Sequence, residues 1–257
     1  MYRCYKTPSG LVRIGSRVDV LPRSNLVANY VMQNGELVDK VGGDGQELLF
    51  PCFKGDGAKW ITYNDLSFED LTADYTLKLS FSYEASTSNS YNTLICKYNQ
   101  ANYQLFVERN KGKLKILWYQ SGFKVIILSS TLQPNTEYNL ILHDTNGAIS
   151  GTLNGVSVNT GTMPQGRLAV SSNLYVSSKS SSGADYFYGK IWDIEFESGT
   201  TGNIYHFPLI GHAYGFQSDG TPITGTPSDS TCFEGLCNYN PEEGYNIASS
   251  GNNLVIP

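Results

Sequence analysis

The sequence predicts an all-β protein: a two-sheet antiparallel β-sandwich with an N-terminal arm and an irregular C-terminal extension. Three observations predict it. From Asp74 to Thr160, segment after segment alternates apolar and polar residues with a period of two and almost no helical period. The pair Asn154-Gly155 joins two such segments, and it is the strongest short hairpin signal because the turn needs positive φ at both central residues. Composition agrees, since 18 Tyr and 11 Phe suit strands while abundant Ser, Thr, Asn and Gly suit the polar turns between them.

Taken in order, residues 1–24 hold two short β-like runs, Leu11–Ile14 and Val18–Leu21, broken by Pro8 and Pro22. They carry Arg3, Lys6, Arg13, Arg17 and Arg23 against Asp19 alone, so this arm is basic on an otherwise acidic chain. Leu26–Met32 is expected to be the first sandwich strand, followed by a Gly/Asp loop to Gly45. Leu48–Phe53 and Ala58–Tyr63 come next, and Leu66, Phe68 and Leu71 could support one helical turn in the connection from Asn64 to Ala73. In the strand beginning at Asp74, Tyr75, Leu77, Leu79, Phe81 and Tyr83 fall on one face and Thr76, Lys78, Ser80 and Ser82 on the other. The same grammar recurs in Asn92–Lys97, Tyr103–Val107, Leu114–Trp118, Phe123–Leu128, Glu137–Leu142 and Gly151–Val158. Arg167–Val170, Leu174–Val176 and, after a Ser-rich loop, Tyr186–Phe196 complete about a dozen strands, an inventory that favours a sandwich. The sandwich is therefore placed at 25–198, and 199–257, rich in Gly, Pro and Asn, is expected to wrap it or to be appended to it.

At 257 residues the chain can bury a substantial core. Its net charge of −5 argues against nucleic acid and anionic membrane as partners, and no stretch reaches the ~20 apolar residues that cross a bilayer. The N-terminal residues Met1 to Gly10 hold no apolar run of leader length, so synthesis and folding in a cytoplasm are expected. Five cysteines, Cys4, Cys52, Cys96, Cys232 and Cys237, are an odd and scattered set, expected to be mostly reduced and packed. No Gly-x-Ser-x-Gly elbow surrounds a serine, and His143, His206 and His212 are the only histidines, so a hydrolytic triad has no support.

Six stretches in order resemble the concanavalin A-like sandwich, in particular its laminin G-like jelly-roll branch. They are Leu26-Val-Ala-Asn-Tyr-Val-Met32 with its Gly/Asp loop, Phe53-Lys-Gly-Asp-Gly-Ala-Lys-Trp-Ile61, Asp74-Tyr-Thr-Leu-Lys-Leu-Ser-Phe81, Tyr103 through Leu114, Thr152-Leu-Asn-Gly-Val-Ser-Val158 and Phe187-Tyr-Gly-Lys-Ile-Trp-Asp-Ile-Glu-Phe196. The fold serves lectins, glycanases, adhesion modules and virion parts, so function rests on the site. Glycan hydrolases of the superfamily carry alternating acidic residues along one strand. Asp193, Glu195 and Glu197 repeat that spacing, and period two puts them on one face, as acid/base work on a glycosidic bond requires. Their order, Asp-Glu-Glu, departs from the family's pattern of Glu first with Asp in the middle, so a solvated strand face is the preferred reading and no enzymatic activity is expected.

Trp118, Tyr119 and Phe123, together with Trp60, are the aromatic residues that could stack on a sugar ring, against the commoner role of a strand Trp in the core. Laminin G-like modules often hold calcium on a loop rim, and the resemblance makes Asp44, Asp56 and Asp144 the conceivable ligands, with turn formation as the default for each. No other cofactor is expected. A jelly-roll lectin made in a cytoplasm resembles modules on tailed-bacteriophage virions. The implied function is a structural component of a tail, collar or capsid appendage, docked to other virion proteins through residues 1–24 and facing outward toward host surface glycan. A homo-oligomer fits the same reading. A purely architectural decoration protein, or a secreted carbohydrate-binding module or glycan hydrolase of this fold, are the alternatives.

Overall fold

A computed structural model describes residues 3–7, 10–14, 30–33, 36–39, 50–56, 58–64, 74–84, 91–98, 102–108, 111–119, 122–129, 131–164, 172–180, 185–229, 231–233, 237–240, 244–248 and 253–255, with side chains at most of these positions between 52 and 233. Strands β1 (Arg3–Thr7) and β2 (Gly10–Ile14) pair with each other as a two-stranded sheet. Strands β3 (Tyr30–Gln33), β4 (Glu36–Asp39) and β5 (Phe50–Pro51) form a separate three-stranded sheet. Of the expected first sandwich strand, the described residues Tyr30–Met32 lie in this small sheet, and among the described residues β6 (Phe53–Asp56) is the first strand to join a large one.

From there the chain alternates between two layers. It runs through β7 (Ile61–Tyr63), β8 (Tyr75–Tyr83), β9 (Tyr91–Tyr98), β10 (Asn102–Glu108), β11 (Lys113–Tyr119), β12 (Phe123–Ser129), β13 (Thr136–Thr145), β14 (Ala148–Leu153), β15 (Val156–Ser157) and β16 (Gly161–Thr162). It continues through β17 (Leu174–Val176), β18 (Tyr188–Ser198), β19 (Ile204–Phe207), β20 (Gly215–Gln217), β21 (Pro222–Ile223) and β22 (Gly225–Pro227). A small terminal sheet is made by β23 (Cys237–Asn240), β24 (Gly244–Ala248) and β25 (Asn253–Val255). One layer is a seven-stranded sheet in the order β12-β11-β10-β9-β17-β7-β22. The other is a ten-stranded sheet, β15-β14-β13-β8-β18-β19-β20-β21, with β16 paired to β14 and β6 to β18. Every named strand pairing is antiparallel, so the chain is an all-β, two-sheet sandwich. Among the described residues no helix is long and apolar enough to cross a membrane.

The inner faces follow the period-two reading. Leu77, Leu79 and Phe81 from β8 meet Leu105 and Val107 from β10 and Leu114, Ile116 and Trp118 from β11 in one buried cluster. Rings tie the layers together: Tyr75 of β8 stands edge-on to Tyr103 of β10 at 6.1 Å, and Tyr103 edge-on to Trp118 at 6.4 Å. At the other side Tyr63 of β7 packs on Phe207 of β19 at 4.6 Å. Offset and edge-to-face arrangements like these are favoured by the ring quadrupole. The Asn154-Gly155 turn has φ of 50° and 78°, the left-handed pair expected of it. Thr145 and Ala148 close a second such hairpin over Asn146 and Gly147, with φ of 50° and 85°.

The segment after Gly199 belongs largely to the sandwich. Strand β19 extends the ten-stranded sheet from β18, and β22 caps the seven-stranded sheet beside β7. Cys52, Cys96 and Cys232 are buried thiols outside any disulfide, and burial pushes the Cys96 thiol far above its ordinary value, as expected for packed rather than reactive sulfur.

Candidate functional site

The outward face of the ten-stranded sheet carries a polar array, built by the alternation that sends β8's aromatic and aliphatic residues inward. Cross-strand register arranges it in four rows over β18, β8 and β13: Glu197–Thr76–His143, Glu195–Lys78–Ile141, Asp193–Ser80–Asn139 and Lys190–Ser82–Glu137. A β-bulge between Ile191 and Asp193 makes this possible. It takes up Trp192 as the extra residue, so Lys190 and Asp193, three apart in sequence, both face outward.

The rows are cross-linked. Lys78 Nζ donates to Glu195 Oε1 at 2.6 Å, and this hydrogen bond raises the pKa of Lys78. His206 Nε2 lies 2.6 Å from Asp193 Oδ1. Ser80 Oγ donates to Asn139 Oδ1 at 2.8 Å, while Thr76 Oγ1 and His143 Nδ1 are hydrogen-bonded at 3.1 Å. The Asn154 turn is locked onto the same face, since the Asn139 N–H donates to Asn154 Oδ1 and Asn154 Nδ2 donates to the Glu137 carbonyl.

At one end the array opens into a groove of about 250 Å³, lined by Ser82, Glu84, Asn135, Glu137 and Lys190. Two rows of the sheet frame it. Glu137, Ser82 and Lys190 stand side by side in register. Beyond them the Asn135 N–H donates to the Tyr83 carbonyl and the Glu84 N–H to the Tyr188 carbonyl, which places Asn135, Glu84 and Tyr188 as the next row. With strands ~4.8 Å apart and like-facing residues ~7 Å apart along each, the grid measures roughly 10 by 7 Å. Asn135 reaches its place through a left-handed backbone, φ 58°, that asparagine tolerates better than most residues.

The carboxylates Asp193, Glu195 and Glu197 do share the outward face, each half-buried. They stand outside the groove, and two of them are engaged by Lys78 and His206. Trp118 is a correction: it is fully buried, because Leu114, Ile116 and Trp118 form the inward set of β11, so its ring offers no face to a ligand. Tyr119 and Phe123 do come together at the sheet edge, ring centroids 4.7 Å apart, with Phe123 73% exposed. Trp60 is half-buried and packs on Tyr186 at 5.8 Å, apart from that pair. Asp144 takes the turn-forming role expected as its default: it is buried, and its Oδ1 accepts from the Gly147 N–H at 2.7 Å in the hairpin turn. Asp44 lies outside the described residues, as does the side chain of Asp56. Among the described residues no group of three or more His, Cys, Asp or Glu is arranged to hold a metal ion. Sequence reasoning missed Glu84, Asn135, Lys190 and His206, which no motif joins; Glu84 and Asn135 lie just beyond strand ends, and the bulge shifts Lys190 out of the phase that its strand shows in sequence.

No family model matches the sequence, and no curated protein sequence matches it. Solved structures do. A proposed carbohydrate-binding protein from Bacteroides ovatus superposes with a TM-score of 0.51 at 12% identity, covering 76% of this chain and 66% of that one. The LG4-5 domains of the mouse laminin alpha1 chain give 0.45 at 14% identity, with 68% of this chain and 52% of that one covered. Tailspike protein 2 of Escherichia coli O157:H7 bacteriophage CAB120 gives 0.44 at 12% identity, with 68% and 25% covered. This chain thus spans about two thirds, a half and a quarter of the three. The likeness is one of fold, a two-sheet antiparallel β-sandwich of jelly-roll type.

Proposed function

We propose that this chain is a non-enzymatic glycan-binding module and that its setting is the surface of a bacteriophage particle. The groove carries the first part. Five polar side chains from three adjoining strands and the turn before β13 converge on about 250 Å³. Sugars are recognised by such sets of donors and acceptors held on a rigid scaffold. The carbohydrate-binding description of the Bacteroides ovatus protein of similar fold supports the same reading. The three acidic candidates Asp193, Glu195 and Glu197 stand outside the groove, with Glu195 paired to Lys78 and Asp193 to His206, so they are not placed to act on a sugar held there.

The experiment is a glycan array on the full chain, repeated with Lys190→Ala and Glu137→Gln. Expected is binding of at least one glycan, weakened about fivefold or more by each substitution, as for loss of a hydrogen bond to a charged group. Absence of any glycan signal would leave a purely architectural protein. Release of shorter fragments, abolished by Glu195→Gln, would replace binding by hydrolysis.

The particle setting is supported by residues 1–24, five basic residues against one acidic, whose described strands β1 and β2 pair with each other and, among the described residues, with neither large sheet. They are read as the segment that docks to other virion proteins. Mass spectrometry of purified particles is expected to find the chain, and to lose it when residues 1–24 are deleted while the thermal midpoint of the deleted chain is retained. Normal incorporation of the truncated chain would exclude this docking role.

A further inference from the structure

Two Asn-Gly turns close consecutive hairpins, and they differ at the atoms that govern asparagine chemistry. Their backbones are alike, with φ of 50° and 85° at Asn146-Gly147 and 50° and 78° at Asn154-Gly155. Glycine in second place has no Cβ to shield its backbone nitrogen, so that nitrogen can reach the side chain before it. In the second turn that side chain is held away. Asn154 Oδ1 accepts from the Asn139 N–H at 2.7 Å, and Asn154 Nδ2 donates to the Glu137 carbonyl at 2.9 Å, both on β13. In the first turn the Asn146 side chain is exposed and makes no hydrogen bond among the described residues. There the backbone is held instead: the Asn146 N–H donates to Asp74 Oδ1 at 2.6 Å and the Gly147 N–H to Asp144 Oδ1 at 2.7 Å. The buried Asp144 carboxylate thus sits on the proton of the nitrogen that faces Asn146 in the chain.

We propose that Asn146 is a site of spontaneous deamidation in the folded protein, with Asp144 as its general base, and that Asn154 is protected by its bonds to β13. The Gly147 nitrogen attacks Asn146 Cγ and gives its proton to Asp144. The Cγ–Nδ2 bond then breaks, ammonia leaves with that proton, and a five-membered imide ring joins residues 146 and 147. Water opens the ring at either carbonyl, leaving aspartate or, with the chain rerouted through the side chain, isoaspartate. The product carries a new carboxylate in a turn already bound by Asp74 and Asp144. Isoaspartate also lengthens the backbone of a turn whose Gly147 carbonyl accepts from the Met163 N–H at 2.7 Å. Asp74 ties the same corner to the end of β18, its carbonyl accepting from the Gly199 N–H at 2.7 Å. Deamidation therefore loosens the joint of β13, β8 and β18 at the end of the sheet away from the groove.

The test is peptide mapping of the full chain aged at mildly alkaline pH, with electron-transfer fragmentation to place each mass gain and to tell isoaspartate from aspartate. Expected is reaction at Asn146 about tenfold or more faster than at Asn154, where two hydrogen bonds have to be given up first. In the urea-unfolded chain the two Asn-Gly pairs should react at like rates, because the difference lies in the fold. Asp144→Asn, which keeps an oxygen for the Gly147 N–H, should slow Asn146 several-fold and leave Asn154 unchanged. The aged fraction, separated by its added negative charge, should melt about 3 °C or more below the fresh chain. Asn154 reacting as fast as Asn146 in the folded chain would overturn the proposal, and so would the same preference persisting in urea; neither comparison needs a variant. An undiminished rate at Asn146 in a folded Asp144→Asn chain would overturn the role of Asp144 as base. An unchanged melting point of the aged fraction would overturn the loosening.

Discussion

Gly189→Ala should be among the most damaging single substitutions in the molecule, costing about 3 kcal/mol or more and lowering the thermal midpoint by roughly 10 °C. Gly189 sits in β18 with φ of 139°, a backbone setting that a residue with a Cβ rarely adopts. A methyl group there would stand 2.0 Å from the Ser82 carbonyl oxygen and 3.0 Å from Cε1 of Phe187. The first partner is backbone in the adjoining strand β8, so relief requires β8 and β18 to separate where Gly189 faces Tyr83. Gly202 is the internal control. Its φ of 71° is also left-handed, but nothing lies within 4 Å of the position a methyl group would take there, so Gly202→Ala should cost only the ~1–2 kcal/mol of the backbone conformation. Chemical denaturation of both variants decides it: equal midpoints would mean that close strand approach contributes nothing at Gly189. The same crowding places Ser82 and Lys190 as they stand in the groove, so any Gly189→Ala protein that folds should also bind glycan more weakly.

What the sequence makes legible is each strand's local phase. Tyr75, Leu77, Leu79, Phe81 and Tyr83 are all buried, as their alternation requires, and the Asn154-Gly155 turn adopts the conformation that its residues favour. Beyond a bulge the phase misleads. Counting back by twos from Phe196 and Ile194 through Trp192 would turn Lys190 inward, whereas the extra residue at Trp192 buries Ile191 and sends Lys190 out into the groove. A bulge leaves no fixed mark in residue type, so the sequence hides this end of the site. The groove is also non-local. Glu84, Asn135 and Lys190 become neighbours through strand pairing between segments about fifty and about a hundred residues apart, and no spacing within the sequence records that. Strands β19 to β22 are two to four residues long, too short for alternation to separate them from the Gly- and Pro-rich chain around them.

Trp118→Ala is expected to cost about 3–5 kcal/mol, the range for emptying a large aromatic from a packed core, whereas Phe123→Ala should stay within ~0.5 kcal/mol. The two residues lie in adjoining strands and read alike as strand aromatics, yet Trp118 is 0% exposed and Phe123 73%. Trp118 ends the ring series that begins at Tyr75 in one sheet and passes through Tyr103 in the other, so its loss opens a cavity beside the contact that holds the layers together. The surrounding strands are paired on both sides, β11 between β10 and β12, which limits their collapse into the void and keeps the cost near the top of the range. Urea unfolding followed by far-UV circular dichroism measures both, with an unchanged slope showing that the midpoint shift reports stability alone. A small effect at Trp118 would place that ring outside the core and restore it as a sugar-stacking candidate. A large one leaves the exposed Phe123 and its neighbour Tyr119 as the place on this sheet edge where a ligand could stack, and makes Phe123→Ala a clean probe of ligand contact because the fold is indifferent to it.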